Sequence, residues 1–382
     1  MNFLFEKFQK RFIIYVGAKN DMVDKLVPRG VQMDELLKFQ KKIVPELVEL
    51  LELRYNILKT IYYYQPIGRR MLSSILNLGE RCIRNEIKFL KEAELISINN
   101  LGMFINPEGE EIIIKLKKFL YELNGLSELE SDLRKYLHIK KVFVVPGDLD
   151  NDKTVLKDMG KVASDYLKTI LRDDIVISIT GGSSVREIAD SMQKCSKYKN
   201  ILILPARGGI GRNVDIQSNT IAANLAHKIN ANYKLLHVPD NLSYNALEAI
   251  LKEKNIVDIV NKIRNSDVLI FGIGRAEEMA KRRGMPDELI CEILSKGAVG
   301  EAFGHYFNDE GEIVYYTPTI GIKNQDTKNI AILIAIAGGK SKAKAIISTE
   351  IDRTESVLIT DQGAAQEIVR IIKNKLDNNI TE

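Results

Sequence analysis

The residues best suited to chemistry sit in short glycine-rich turns. Thr180-Gly181-Gly182-Ser183-Ser184 follows the apolar run Ile175–Ile179 and leads into an amphipathic, helix-like stretch. Glycines at 181 and 182 let the backbone approach a ligand closely, and Ser183 and Ser184 add hydroxyl donors beside the amides of a helix N-terminus. Such a terminus favours an anion by roughly 0.3–1 kcal/mol through its dipole, before any direct hydrogen bond. The turn carries neither the Walker pattern GxxxxGK[ST] nor the dinucleotide pattern GxGxxG. Alone it does not choose between an anion cradle and a serine-capped strand–helix junction.

Three more segments repeat the theme. LPARGGIGRNVDIQSNT (204–220) places Arg207 and Gly208-Gly209 at another strand end, followed by a helix with Gln217. AIAGGKSKAKAI (335–346) runs from a strand through Gly338-Gly339 to a helix start bearing Lys340, Ser341 and Lys342. GIGRAEEMAKRRGMP (272–286) carries Arg282 and Arg283. In open α/β sheets ligands bind outside the carboxyl ends of strands, so these turns can converge. More than one basic anion site suits a ligand with two phosphates, or one phosphate and other oxyanions.

Catalysis would need a positioned general base, and Asp240, Glu301, His305 and Asp361 are the candidates. Glu301, in AVGEAFGHYF, reads alternatively as an acceptor for sugar hydroxyls. His138, His227, His237 and His305 show no HxH, HExxH or paired-cysteine spacing, so no metal site is expected. No catalytic constellation emerges.

The elements that must position these turns alternate regularly. Apolar runs at 142–145, 175–179, 201–204, 233–238, 267–273, 330–337 and 356–360 are separated mostly by helical patterns. That alternation predicts a doubly wound α/β domain with a mainly parallel sheet. Upstream, residues 34–64 show long helical periodicity, with Pro45 either kinking it or starting a second helix. Two short amphipathic segments follow around Asn77-Leu78-Gly79, then a hairpin turning at Asn99-Asn100 or Leu101-Gly102. That order is a winged helix-turn-helix. On its second helix Arg81, Arg84, Asn85 and Lys88 share a face, while Cys82, Ile83, Ile87 and Leu90 face inward. Guanidinium groups at such a face can read guanine, whereas Arg69 and Arg70 at the preceding helix start are placed for phosphates. The wing tip at Asn99 and Asn100 is a further candidate for DNA contact, and the opposing reading is a protein-docking winged helix. Between Arg69 and Lys91 six basic residues face two acidic ones, although a solvated helix face can carry the same charge.

The 382 residues point to two domains. The expected division is 33–125 for the DNA-binding unit and 126–382 for an effector and oligomerisation unit. Residues 1–32 read as an extension or as the product of a mis-assigned start codon. With 45% hydrophobic and 28% charged residues the composition is that of a soluble globular protein. No apolar run approaches the ~20 residues of a membrane span, and no secretory signal opens the chain. Three scattered cysteines argue against a disulfide framework and for a reducing, cytoplasmic location.

PIGRRMLSSILNLGERCIRNEIKFLKEAELI, TGGSS, PARGGIGRNVDIQSNTIAANLA, GAVGEAFGHYF and IAIAGGKSKAKAI together resemble the bacterial SorC/DeoR-type sugar-responsive repressors over about residues 34–373. The resemblance implies a winged helix reading double-stranded operator DNA and an effector domain similar to sugar-phosphate isomerases that has become a sensor. It implies glycolytic target genes, fructose 1,6-bisphosphate as effector, and no cofactor. By motif match Gly181, Gly182, Ser183 and Ser184 would hold one phosphate. Arg207, the Gly208 and Gly209 amides, Gln217, Arg282 and Lys342 would bind phosphates and hydroxyls, and Glu301 a sugar hydroxyl. Relatives often carry threonine at the two serine positions, which preserves the hydroxyl. A homo-oligomer, dimer or tetramer, is expected through residues 34–64 and 108–137. The competing expectation is a sugar-phosphate isomerase or deaminase with an accessory module, and a third is a scaffold that never meets DNA.

Overall fold

The computed structural model describes residues 43–209, 213–239 and 244–381. The 1–32 segment and Asp240 lie outside them. Residues from Tyr55 onward form one compact unit, and the separate unit ending at Arg54 contributes the first half of helix α1.

Helix α1 spans Pro45–Tyr64, so Pro45 opens a helix, where its missing N–H costs nothing. Helices α2 (Arg69–Leu76) and α3 (Glu80–Glu92) start after Gly68 and Gly79. Asn77 in the left-handed conformation ends α2, a role its short polar side chain tolerates. Strands β1 (Ile96–Asn99) and β2 (Gly102–Ile105) pair antiparallel, with Asn99 opposite Gly102, so Asn100 and Leu101 form the wing tip. Ile83, Ile87 and Leu90 are buried as the spacing predicts, but Cys82 is only half-buried. Helices α4 (Pro107–Leu123) and α5 (Leu126–Leu137) lead to the sheet.

The α/β fold then runs β3 (Lys141–Val145), α6 (Val155–Ile170), β4 (Val176–Ile179), α7 (Ser183–Ser191), β5 (Leu202–Pro205) and α8 (Ser218–Ile229). Next come β6 (Asn232–Tyr233), α9 (Tyr244–Ile250), α10 (Lys254–Arg264) and β7 (Val268–Gly272). A small excursion holds β8 (Gly274–Arg275), α11 (Ala276–Arg282), α12 (Asp287–Ser295), β9 (Gly300–Ala302), β10 (His305–Phe307) and β11 (Ile313–Tyr316). The chain returns through β12 (Ile332–Ile336), α13 (Ala343–Glu350), β13 (Ser356–Asp361) and α14 (Gln362–Thr381).

Among the described residues seven strands form one sheet in the order β3-β13-β12-β7-β4-β5-β6, and every neighbouring pair is parallel. Successive residues serve opposite faces. On β7, Leu269 and Phe271 enter one core with α5, α10 and α14, while Val268 and Ile270 enter the other with α6, α7 and α8. Both faces are thus covered by helices, which explains why these strands read as unbroken apolar runs. One strand is shorter than its run predicts. Of 233–238 only Tyr233 lies in β6; further on, the Asn219 side chain takes a strand's place, accepting from Leu236 N at 3.0 Å and donating to Leu236 O at 3.1 Å.

Strands β8 to β11 form a second, antiparallel sheet that the sequence reading missed. Its strands hold two to four residues each, too few for period-2 alternation to stand out.

Candidate functional site

After β4 the chain moves outward to β5 and β6, then crosses back to place β7 on the other side of β4. A crevice opens at the carboxyl ends of strands where the order reverses in this way. Here it is a cavity of about 350 Å³ lined by the turns after β4, β5 and β7, and by residues from the small sheet and its helices. Gly181, Gly182, Ser183, Ser184, Arg207, Gly208, Gln217, Arg282, Glu301 and Lys342 all line it; Gly209 does not.

The turn after β4 supplies the helix end. Gly182 takes φ 126°, open to glycine, and Ser183 begins α7 with no side-chain cap in place. Gly182 N donates to Ile216 O at 2.9 Å, and a Cβ at Gly181 would lie 2.7 Å from the same oxygen. This close approach brings Gln217 and Ser218 into the cavity beside the first turn of α7. Gln217 sits just ahead of α8 rather than inside it.

Arg207 follows β5 and is 3% exposed. Its guanidinium packs on Gly304, where an added Cβ would meet Nη2 at 2.5 Å, and lies 3.7 Å from Glu301 Oε1. Glu301, also 3% exposed, accepts Arg283 Nη2 at 2.9 Å and the amide of Gly304 on that same oxygen. Arg283 Nη1 is 3.4 Å from the Tyr306 hydroxyl. Glu301 is therefore the counter-ion that orients two guanidinium groups, and a sugar hydroxyl would have to be accepted by Oε2. The Gly208 and Gly209 amides, expected to bind phosphate, have other partners. Gly208 N donates to Ile320 O at 3.3 Å and Gly209 N to Val238 O at 3.0 Å. Gly208 is needed for clearance, since a Cβ there would stand 2.4 Å from Val238 O, and Gly209 backs onto Gln217 Oε1.

Lys342 reaches the cavity from the turn after β12, donating from Nζ to Ile273 O at 3.1 Å. Burial lowers its pKa; Glu278 opposes the shift and Arg282 adds to it. Among the described residues four cationic side chains (Arg207, Arg282, Arg283, Lys342) and two anionic ones (Glu278, Glu301) line the cavity, an excess of two positive charges. Ile216, Met279 and Phe303 add apolar wall. The arrangement can hold a polyanion with a partly apolar body.

The Gly338-Gly339 turn is not the second phosphate cradle its sequence suggests. It serves the protein's own carboxylates. Gly339 N donates to Asp361 Oδ2 at 2.7 Å, Lys340 N to Asp148 Oδ1 at 3.3 Å, and Ser341 N to Asp150 Oδ2 at 2.7 Å. Lys340 points away, its Nζ 3.8 Å from Glu367. Only Lys342 of this turn faces the ligand space.

None of the described candidate bases is set for proton transfer in the cavity. Asp361 is fully buried outside its lining, accepts three backbone N–H groups, and is pushed up to about 6 by burial. His305 lies outside the lining, its pKa pulled down to about 4 by burial and then by Arg207. Glu301 is held by its arginines. Sequence reasoning missed the positioning roles of Arg283 and Gly304; the RR pair and GHYF were visible, but not the small sheet that brings them together.

On the winged module Arg69, Arg70, Arg81, Arg84, Asn85 and Lys88 are all exposed. Among the described residues the four arginines form no ion pair, and Lys88 has a loose one with Glu92 at 3.8 Å. The apolar side of α3 packs inward, leaving its basic side to solvent together with the wing tip, where Leu101 is 76% exposed. This is the geometry of a helix available to a major groove.

Two family models match the chain: a CggR N-terminal DNA binding domain over residues 50–120 and a sugar-binding domain over residues 121–370. The chain is 42% identical to the central glycolytic genes regulator of Priestia megaterium over 339 residues, 88% of this chain and 99% of that protein. It is 39% identical to the regulator of the same name from Bacillus subtilis over 338 residues, with the same shares covered. A crystal structure of a SorC family transcriptional regulator from Enterococcus faecalis is 37% identical, has a TM-score of 0.59, and covers 63% of this chain and 99% of its own. Among the described residues no helix is long and apolar enough to cross a membrane, and no group of three His, Cys, Asp or Glu side chains could hold a metal ion.

Proposed function

The chain belongs to the SorC-type family of sugar-binding transcriptional regulators, to which the central glycolytic genes regulators belong, and on that premise we propose that it represses glycolytic genes and releases its operator when a sugar bisphosphate fills the cavity. It is a transcriptional regulator, not an enzyme. The observation that carries the effector class is the charge of the cavity. Among the described lining residues an excess of two positive charges gathers around one helix N-terminus, and none of the described candidate bases is set for proton transfer there. Fructose 1,6-bisphosphate fits: one phosphate would take the first turn of α7 with Ser183 and Ser184, the other the Arg207–Arg282–Lys342 side. The winged module would read double-stranded DNA as part of a cytoplasmic homo-oligomer, whose symmetry would match a repeated operator.

Thermal denaturation with a panel of sugar phosphates tests the effector. A ligand at a hundredfold its Kd stabilises the folded state by about 2.7 kcal/mol, a rise in Tm of roughly 3 °C for a chain of this size. Fructose 1,6-bisphosphate is expected to give that rise, with fructose 6-phosphate and inorganic phosphate giving little at the same concentration. Equal shifts from bisphosphate and monophosphate would defeat the two-anion reading.

A further inference from the structure

The loop between β3 and α6 has two holds within the unit that begins at Tyr55. On one side Asp150 accepts Ser341 N at 2.7 Å and Ser341 Oγ at 3.0 Å, while Asp148 accepts Lys340 N at 3.3 Å. These carboxylates cap the one-turn helix Lys340–Lys342, whose last residue enters the cavity. The fit is close: a Cβ at Gly339 would stand 2.4 Å from Asp150 Oδ1. On the other side Asp152 accepts Lys59 Nζ at 2.9 Å. Lys59 lies on α1, is 2% exposed, and also sits 3.5 Å from Asp158. Asp158 in turn accepts the Tyr63 hydroxyl at 3.0 Å and Lys117 Nζ at 3.1 Å. Five residues after its last turn α1 gives way to α2, which begins at Arg69.

The two holds belong to one rigid turn. Asp148 O accepts the amides of Asn151 at 3.0 Å and Asp152 at 2.8 Å, and the Asp148 side chain accepts Asp150 N at 3.0 Å. A displacement of Asp150 therefore moves Asp152. The buried Lys59 ammonium pairs most closely with Asp152, and losing that contact would leave it only the longer one to Asp158 at 3.5 Å. Such a pair switches between discrete arrangements rather than stretching.

We propose that loop 148–152 positions Lys342 in the cavity and, through the Asp152–Lys59 pair, transmits the state of the cavity to the helix that precedes the DNA-reading module. The proposal rests on reading the cavity as a sugar-bisphosphate site and the winged module as a DNA reader. A phosphate that draws Lys342 inward pulls the 339–342 turn. The turn carries Asp150 with it, and Asp152 shifts α1 through Lys59. By linkage the operator-bound state must weaken the ligand by the same factor.

The test uses the full chain, fructose 1,6-bisphosphate and a labelled promoter fragment, with three readouts. These are ligand affinity by calorimetry, operator affinity without ligand, and the ratio of operator affinities without and with saturating ligand. Wild type is expected to show a ratio in the usual range of about 5–150. Asp152→Asn is expected to leave both separate affinities within about twofold while the ratio falls toward one. Asp150→Ala is expected to lower the ratio and also to weaken the ligand, since Lys342 loses its support. If Asp152→Asn destabilises the fold, Lys59→Met combined with Asp152→Asn removes both charges and gives the same readout. A wild-type ratio retained in these folded variants overturns the proposal. A wild type that fails to bind the bisphosphate or to release DNA instead defeats the underlying reading, and the loop's role with it.

Discussion

Arg207→Met is expected to weaken fructose 1,6-bisphosphate by about 10²–10⁴-fold and to leave operator binding within about twofold. The loss follows from two charge-assisted hydrogen bonds, each contributing about 1.5–3 kcal/mol, where 1.4 kcal/mol corresponds to tenfold. Methionine keeps most of the buried volume, and Glu301 keeps its 2.9 Å partner Arg283, so no carboxylate is stranded. The fold should survive, and Tm without ligand is the check. Arg207→Lys retains the charge but not the planar fork, and is expected to fall between wild type and Arg207→Met. Calorimetry measures all three proteins. Unchanged affinity in Arg207→Met would place the ligand elsewhere than in this cavity.

Arg84→Ala is expected to have the opposite profile. Arg84 is exposed on the basic side of α3, opposite buried Ile83 and Ile87. A guanidinium reading a base edge contributes about 1–3 kcal/mol of discrimination, so the operator should weaken by roughly 5- to 150-fold and its preference over altered sites should relax. Bisphosphate affinity should not move. Lys88→Ala provides the contrast: removing one phosphate-neutralising charge reduces the slope of affinity against salt by about one, uniformly over sequences. Fluorescence anisotropy against promoter fragments at several salt concentrations separates the two. An Arg84→Ala protein that binds specific and altered sites as wild type does would remove α3 as the reading helix.

These two variants draw on parts of the chain where sequence is most informative. Long-range order in the sheet was legible because strands buried on both faces leave runs such as Ile175–Ile179, which only a helix-covered sheet can hide. The winged module was legible because its helix starts, Gly68 and Gly79, and its wing turn are local features. The cavity lining was legible in outline, since a ligand crevice must collect the turns that follow strands.

What a given turn binds was not legible. Gly338-Gly339 has the composition of a phosphate cradle, yet its anions are Asp148 and Asp150, some 190 residues earlier in the chain, and Asp361. A glycine pair reveals close approach without revealing by what. Gly208 and Gly209 repeat the lesson, their amides being taken by Ile320 and Val238. Glu301 reads in sequence as an acceptor for sugar hydroxyls, and it does line the cavity. Only the β8–β11 sheet, whose strands are too short to be read in sequence, shows it between Arg207 and Arg283.

The central claim joins the two halves: a sugar bisphosphate in the cavity frees the DNA. The measurement that tests it most directly is a titration of fructose 1,6-bisphosphate into a preformed complex of the full chain with a labelled fragment from upstream of the glycolytic genes, at fixed salt. The expected result is saturable release, with a midpoint that follows the ligand affinity measured by calorimetry and disappears in Arg207→Met. A complex that stays intact at ligand concentrations saturating the cavity would contradict it.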